Sequence, residues 1–293
     1  MNVSWILFTF IAAFSQSWRN AFQSQLSKTL NVTGVTLARF LWASPLALIY
    51  LVSLYQWQPV ELPTFSGQSW FFLIGASVMQ IIATALMVVL FKQKNFAIGA
   101  GLAKSEAPVS AFLGVLFFGT SLTLLGWVGV LVGGVAVLIL SCPQGFRSIS
   151  LNTAALGLAC SSAFALTSLW IREASLSLQL PFPHRAAWVL FIVILMQTVI
   201  LTAYLLVKDR QTLKQMMSKP KLVIMTSVAS FVGSFGWFSA MSLQAVPYVK
   251  TLGQVEIFFT LLVSYFYLKE SIPKKDIFAL VLVGIAAGLV MWQ

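Results

Sequence analysis

The chain has 293 residues, 59% of them hydrophobic and only 9% charged, with a mean hydropathy of +0.91. A soluble domain runs at roughly 45–50% apolar and about 25% charged residues, and uses the latter to cover its surface; soluble, disordered, collagen-like and disulfide-scaffold classes are therefore excluded. The net charge of +11, from 18 Lys and Arg against 7 Asp and Glu, is read as the loop charge that orients membrane helices, not as a nucleic-acid footprint.

Crossing the hydrocarbon takes about 20 apolar residues per helix. Ten such segments follow one another, near 4–26, 33–55, 70–91, 97–118, 122–141, 152–172, 186–207, 221–242, 247–268 and 274–292. A β-barrel would show alternating stretches of about ten residues, whereas these runs are continuous, so an all-α integral membrane fold is expected. Loops are expected near 56–69, 173–185 and 208–220.

Segment one lacks a basic flank and holds Arg19 where its apolar core should finish, so it is read as a retained helix, not a cleaved signal peptide. Gln16, Arg19, Asn20 and Gln23 recur at i, i+3, i+4 and i+7, one face of a helix. That face is expected to meet the bundle interior, the alternative for Arg19 being an interfacial snorkel. Segment two carries Arg39 and an internal Pro45, an expected kink. Segment three carries Ser77, Gln80 and Thr84.

Segment four contains Lys104, Glu106, Pro108 and Ser110. Glu106 lies about nine residues into the segment, and Pro108 is a second expected kink, freeing the carbonyl of residue 104. The run Gly99-Ala-Gly-Leu-Ala-Lys104-Ser105 imitates a phosphate loop but lacks the glycine before the lysine and a preceding strand. Gly129 and Gly133 in segment five, and Gly284 and Gly288 in segment ten, are small-xxx-small pairs expected in helix packing, with dimerisation as the sharper alternative. Segment eight repeats the hydroxyl stripe as Ser227, Ser230, Ser234 and Trp237. Segment nine carries Lys250, Gln254, Glu256 and Thr260. Cys142, Cys160 and the single His184 make no metal spacing or catalytic set. No metal, cofactor or enzymatic activity is expected.

The two halves, 1–142 and 150–293, share a register. From 77 to 142 an offset of 150 residues places Ser77 on Ser227, Gln80 on Ser230, Thr84 on Ser234, Glu106 on Glu256, Ser110 on Thr260 and Gly134 on Gly284. Five helices per half invert the second half, the repeat architecture of many secondary transporters. Buried ionisable groups cost about 2.5–3.5 kcal/mol on insertion scales, so Arg19, Arg39, Lys104, Glu106, Lys250 and Glu256 need a partner, a wet cavity or an interface. The two glutamates have three open roles: pairing with Lys104, Lys250 or Arg39, binding a cationic group, or carrying a proton. Each is expected to have a hydroxyl donor at i+4, Ser110 or Thr260.

These residues resemble the EamA-type transporters of the drug/metabolite transporter superfamily. The resemblance rests on Trp18-Arg19-Asn20, Arg39, Ser105-Glu106-Ala107-Pro108, Glu256 and Leu268-Lys269-Glu270, and covers the whole chain as two five-helix units. It implies a ten-helix secondary transporter in a bacterial inner membrane, often an exporter of amino acids, metabolites or drugs. It also implies a central cavity, with segments five and ten more peripheral. Gly119-Thr120 stands where the family's loop glutamate is expected, and no proline follows Glu256 as Pro108 follows Glu106. Basic residues concentrate after odd-numbered segments, which favours both termini outside; many relatives are thought to have them inside. The expected activity is alternating-access transport of a small polar or amphipathic molecule, with proton or ion coupling, by a monomer or homodimer in the lipid bilayer. The competing classes are a lipid-linked flippase component and a non-transporting receptor or assembly partner.

Overall fold

The computed structural model describes residues 3–92, 105–141, 151–263 and 274–292. Those residues are helical, with no strand among them. In chain order the helices are α1 (Ser4–Ser27), α2 (Val32–Phe40), α3 (Ala43–Trp57), α4 (Gly67–Lys92), α5 (Glu106–Phe118), α6 (Leu124–Ser141), α7 (Leu151–Ser177), α8 (His184–Lys208), α9 (Arg210–Met217), α10 (Pro220–Leu243), α11 (Val246–Gly253), α12 (Glu256–Val263) and α13 (Lys274–Met291).

Five spans are long and apolar enough to cross a membrane: Val32–Trp57, which joins α2 to α3, and helices α4, α7, α8 and α10. Three shorter helices, Glu106–Phe118, Leu124–Leu140 and Phe278–Met291, are also apolar. Helix α1 has the length, at 24 residues, but its Gln, Arg and Asn stripe keeps its hydropathy below that of the five.

The side-chain distribution is the reverse of a soluble domain. Leu7, Ile49, Phe71, Phe112, Leu131, Val199 and Ile285 are exposed, while Arg19, Arg39, Gln23, Gln197 and Glu256 are buried. An apolar exterior over a polar interior suits lipid, where each buried polar group must find its partner inside the bundle.

Helix α1 packs along α10, α4 along α7, and α6 along α13. The α1–α10 crossing is close because Gly236 presents no side chain: a Cβ there would lie 2.6 Å from the Phe8 carbonyl oxygen and 2.8 Å from the Ala12 nitrogen. Small residues of this kind permit the backbone approach that drives helix association in lipid.

Several segments differ from the sequence reading. Segment two breaks at Leu41–Trp42, four residues before Pro45, where proline removes the donor that would bond Leu41. Segment nine is two helices, α11 and α12, separated at Gln254–Val255. Across that break the backbone tightens to three-residue bonds, Gln254 N to Thr251 O at 3.2 Å and Ile257 N to Gln254 O at 2.9 Å. The expected loop 208–220 contains α9, whose Leu213 and Met216 pack onto the bundle. Asp209 starts α9 by accepting from Thr212 N at 3.1 Å and Thr212 Oγ1 at 2.7 Å, and it also receives Asn31 Nδ2 at 2.6 Å.

At the other end, two arginines close α10. Arg172 donates to the Met241 and Gln244 carbonyls at 2.7 and 2.6 Å, and Arg185 to the Ser242 carbonyl at 2.7 Å. A helix C-terminus leaves its last carbonyls without intrahelical partners and carries partial negative charge, so cations bind there.

Candidate functional site

Both glutamates open helices. Glu106 is the first residue of α5 and Glu256 the first of α12. This corrects the expectation that each lies mid-helix. For the same reason Pro108 is no mid-helix kink within the described residues: it occupies the first turn of α5, where its missing donor costs nothing.

Glu106 Oε1 accepts from Lys250 Nζ at 2.9 Å and from Ser168 Oγ at 2.7 Å. The pair joins α5 to α11, with Ser168 on α7. Lys250 also lies over the Trp237 ring, 4.1 Å from its centroid, a favourable cation–π placement. Trp237 Nε1 donates to Gln16 Oε1 at 2.8 Å, and Gln16 Nε2 donates to Glu256 Oε2 in a short hydrogen bond. Asn20 Nδ2 donates to Glu256 Oε1 at 2.8 Å, and Arg19 donates to Asn20 Oδ1 at 3.1 Å. One continuous network thus runs Ser168–Glu106–Lys250–Trp237–Gln16–Glu256–Asn20–Arg19, crossing between the two sequence halves at each carboxylate.

The i+4 hydroxyls do not serve the carboxylates. Ser110 Oγ bonds the Ala107 carbonyl at 2.8 Å, satisfying the backbone of its own turn, and Thr260 Oγ1 has no hydrogen-bond partner. Arg19 is 1% exposed and does not snorkel.

Ser168, Glu106, Lys250, Trp237, Gln16 and Glu256 of this network line a cavity of about 60 Å³. Arg39 and Gln80 enter it from one side, Ser234 and Trp237 from another, and Gln254 from the α11–α12 break. Arg39 donates to Thr84 Oγ1 at 2.6 Å, and its Nε is buried without a partner. Gln80 Oε1 accepts from Gln197 Nε2 at 2.7 Å. Both amide atoms of Gln254 are buried without partners. A Gly133 Cβ would run into the Gln254 amide, so Gly133 makes room for this side chain. One water needs roughly 10–15 Å³ by this measure, so the cavity holds a few waters or one small functional group.

The structure brings together Gln16, Asn20, Arg19, Arg39, Gln80, Thr84, Glu106, Ser234, Trp237, Lys250, Gln254 and Glu256. Lys104 and the Leu268-Lys269-Glu270 motif lie outside the described residues. Ser227 takes a structural role, donating to the Ala38 carbonyl at 2.7 Å. Ser77 bonds its own helix at Leu73 O, 2.7 Å away. Gly129 packs tightly, since a Cβ would lie 2.7 Å from Val290 Cγ2 and 3.2 Å from the Ala286 carbonyl. Gly284 and Gly288 do not: open space surrounds both among the described residues. The α6–α13 contact is made by the Ala286/Val290 side of α13, which turns Gly284 away.

Ser168 and Gln197 escaped the sequence reading. Gln197 had a signal, as an isolated amide in the middle of a strongly apolar segment. Ser168 had none, because segment six contains many hydroxyls. Among the described residues no cluster of His, Cys, Asp and Glu could hold a metal ion. His184 Nε2 meets the Gln58 carbonyl at 2.7 Å, and Cys160 Sγ meets the Ala83 carbonyl at 3.3 Å.

No family model matches the chain, and no curated protein matches it. Among solved structures 28 chains match. One of them, described only as "Crystal structure of protein", is 13% identical, with a TM-score of 0.73 over 99% of this chain and 96% of that one. That likeness establishes a shared fold.

Proposed function

We propose that the chain is a ten-span secondary transporter of the EamA type, built as two inverted five-helix repeats. It would move a small polar or amphipathic metabolite, such as an amino acid or drug-like amine, by alternating access. The observation that carries the reading is the network of Glu106, Lys250, Trp237, Gln16 and Glu256 around a cavity inside an apolar bundle. Charge buried this deeply is expensive and is retained where a polar solute or ion must pass.

The packing supports the repeat. Exchanging the two sequence halves turns the α1–α10 contact into α7–α4, turns α5–α7 into α12–α1, and leaves α6–α13 in place. The site obeys the same exchange: Glu106 bonds Ser168 of α7, and Glu256 bonds Gln16 and Asn20 of α1. Helices broken at the substrate site, as α11–α12 is at Gln254–Val255, belong to this architecture. The two glutamates are the groups suited to carry a coupling proton.

Orientation with both termini outside is supported by the engagement of Arg172 and Arg185. These are the arginines of the otherwise charge-poor end, and both are bound to α10 carbonyls. The bacterial inner membrane is the proposed location.

The test is flux in proteoliposomes. Labelled amino acids and organic amines are offered under an imposed proton gradient. Glu106→Gln and Glu256→Gln should each reduce the uptake or exchange seen with the unaltered protein. Full flux in the double variant would remove the carboxylates from the mechanism.

A further inference from the structure

We infer that the cavity recognises the anionic group of its substrate, a carboxylate or a group of like charge, seated on Arg39. The inference rests on the transport reading and narrows its substrate class. It follows from which polar atoms already have partners. Glu106 is occupied by Lys250 and Ser168, and Glu256 by Gln16 and Asn20. A cationic substrate would have to displace Lys250 from Glu106, and both oxygens of Glu256 already accept hydrogen bonds.

Arg39 is different. It is 3% exposed, lines the cavity, and spends one guanidinium nitrogen on the neutral hydroxyl of Thr84. It makes no ion pair among the described residues, and its Nε has no hydrogen-bond partner. A buried guanidinium without a counter-ion is costly, and its planar fork of donors matches a carboxylate or phosphate. Gln254, which lines the same cavity, carries a buried amide with neither atom bonded, able to give hydrogen bonds and to take them. The space of about 60 Å³ accepts a carboxylate-sized head while the remainder of a larger molecule would need the halves to part. The unspent capacity of Arg39 is that of a charged donor, and its complement is an anion.

The experiment measures thermal stabilisation of the full-length protein, reconstituted in nanodiscs at pH 7. The probes come in matched sets on the same carbon skeletons: alkyl carboxylates, their amides and the corresponding amines, together with amino acids and amino-acid amides. Members bearing a carboxylate should stabilise the unaltered protein. Arg39→Gln should weaken their affinity by roughly tenfold or more, the scale of one charge-assisted hydrogen bond, and Arg39→Lys should weaken it less. Stabilisation by amines or amino-acid amides without the carboxylates overturns the inference but leaves transport standing, and this arm needs no variant. Carboxylate binding unchanged in a folded Arg39→Gln protein also overturns it. Stabilisation by no class at all would remove the binding site, and the transport reading with it.

Discussion

Lys250 Nζ lies 2.9 Å from Glu106 Oε1, joining residues 144 positions apart in sequence, on α5 and α11 (250 − 106 = 144). Each is held by a second group, Ser168 on the carboxylate and the Trp237 ring on the ammonium. The pair is therefore both a strap between the halves and part of the cavity wall.

Breaking such a pair leaves an uncompensated, largely enclosed charge, at a cost below the roughly 3–5 kcal/mol of a fully buried pair. Lys250→Met and Glu106→Gln should each lower the unfolding temperature in detergent. The double variant should be less destabilised than the sum of the two. A double-mutant cycle on thermal unfolding measures this, and strict additivity would mean that the ion pair contributes nothing.

Gly133 and Gly284 look alike in sequence, each within a small-xxx-small pair, but their surroundings differ. Gly133 faces Gln254, whereas Gly284 faces open space among the described residues. Overpacking costs typically about 1–3 kcal/mol, so Gly133→Leu should destabilise the fold and disturb the cavity, and Gly284→Leu should be tolerated. Thermal unfolding of both variants checks this. Strong destabilisation by Gly284→Leu would mean that this face of α13 is covered, and a shift in oligomeric state would identify a second copy as the cover.

Asp209 lies outside the membrane-spanning helices. Hydrogen bonds from the Thr212 hydroxyl, the Thr212 backbone and Asn31 hold its carboxyl below the ordinary value of 3.8. A depressed carboxyl contributes stability that is present above its unfolded value and is lost as pH falls through the folded one. Asp209→Ala should therefore loosen α9 to the same degree at all pH values well above 4, and the difference from the unaltered protein should shrink under more acid conditions. Hydrogen exchange of residues 210–217 against pH is the measurement.

Arg172→Gln and Arg185→Gln remove the groups bound to the α10 carbonyls. Both should lower thermal stability without inverting the protein, because the orienting lysines are at the opposite end. Labelling of a cysteine placed at Gln179 should report the outer side in the unaltered and altered proteins alike; labelling from the cytoplasmic side would contradict the proposed orientation.

Much of the helical layout was legible because apolar length is a strong signal. The run from residue 67 to 92 announces α4 without ambiguity. The breaks were less legible. Pro45 marks the interruption at Leu41–Trp42, but nothing as explicit marks Gln254–Val255, where the chain changes hydrogen-bond spacing next to a glycine. The glutamates were visible as buried charges in register, yet their places at helix starts were not, since hydropathy is blind to backbone breaks inside an apolar run. Partner choice was least legible. The sequence offered Ser110 and Thr260 as donors by helical spacing, while the fold brought Ser168 and Gln16 from other helices. Gly284 and Gly288 carry the same motif as Gly129 and Gly133, yet among the described residues nothing packs on them, because a motif records small residues and not the side of the helix that is covered.

In the proposed transporter, both halves enclose one cavity that opens alternately to the two sides of the membrane. Ser234 lines that cavity and is 3% exposed, so Ser234→Cys is a conservative probe when Cys142 and Cys160 are replaced by alanine. In sealed proteoliposomes of defined orientation, a membrane-impermeant thiol reagent should modify this cysteine from either side, at rates that substrate alters in opposite directions. Modification from one side only, under every substrate and gradient condition, would contradict alternating access.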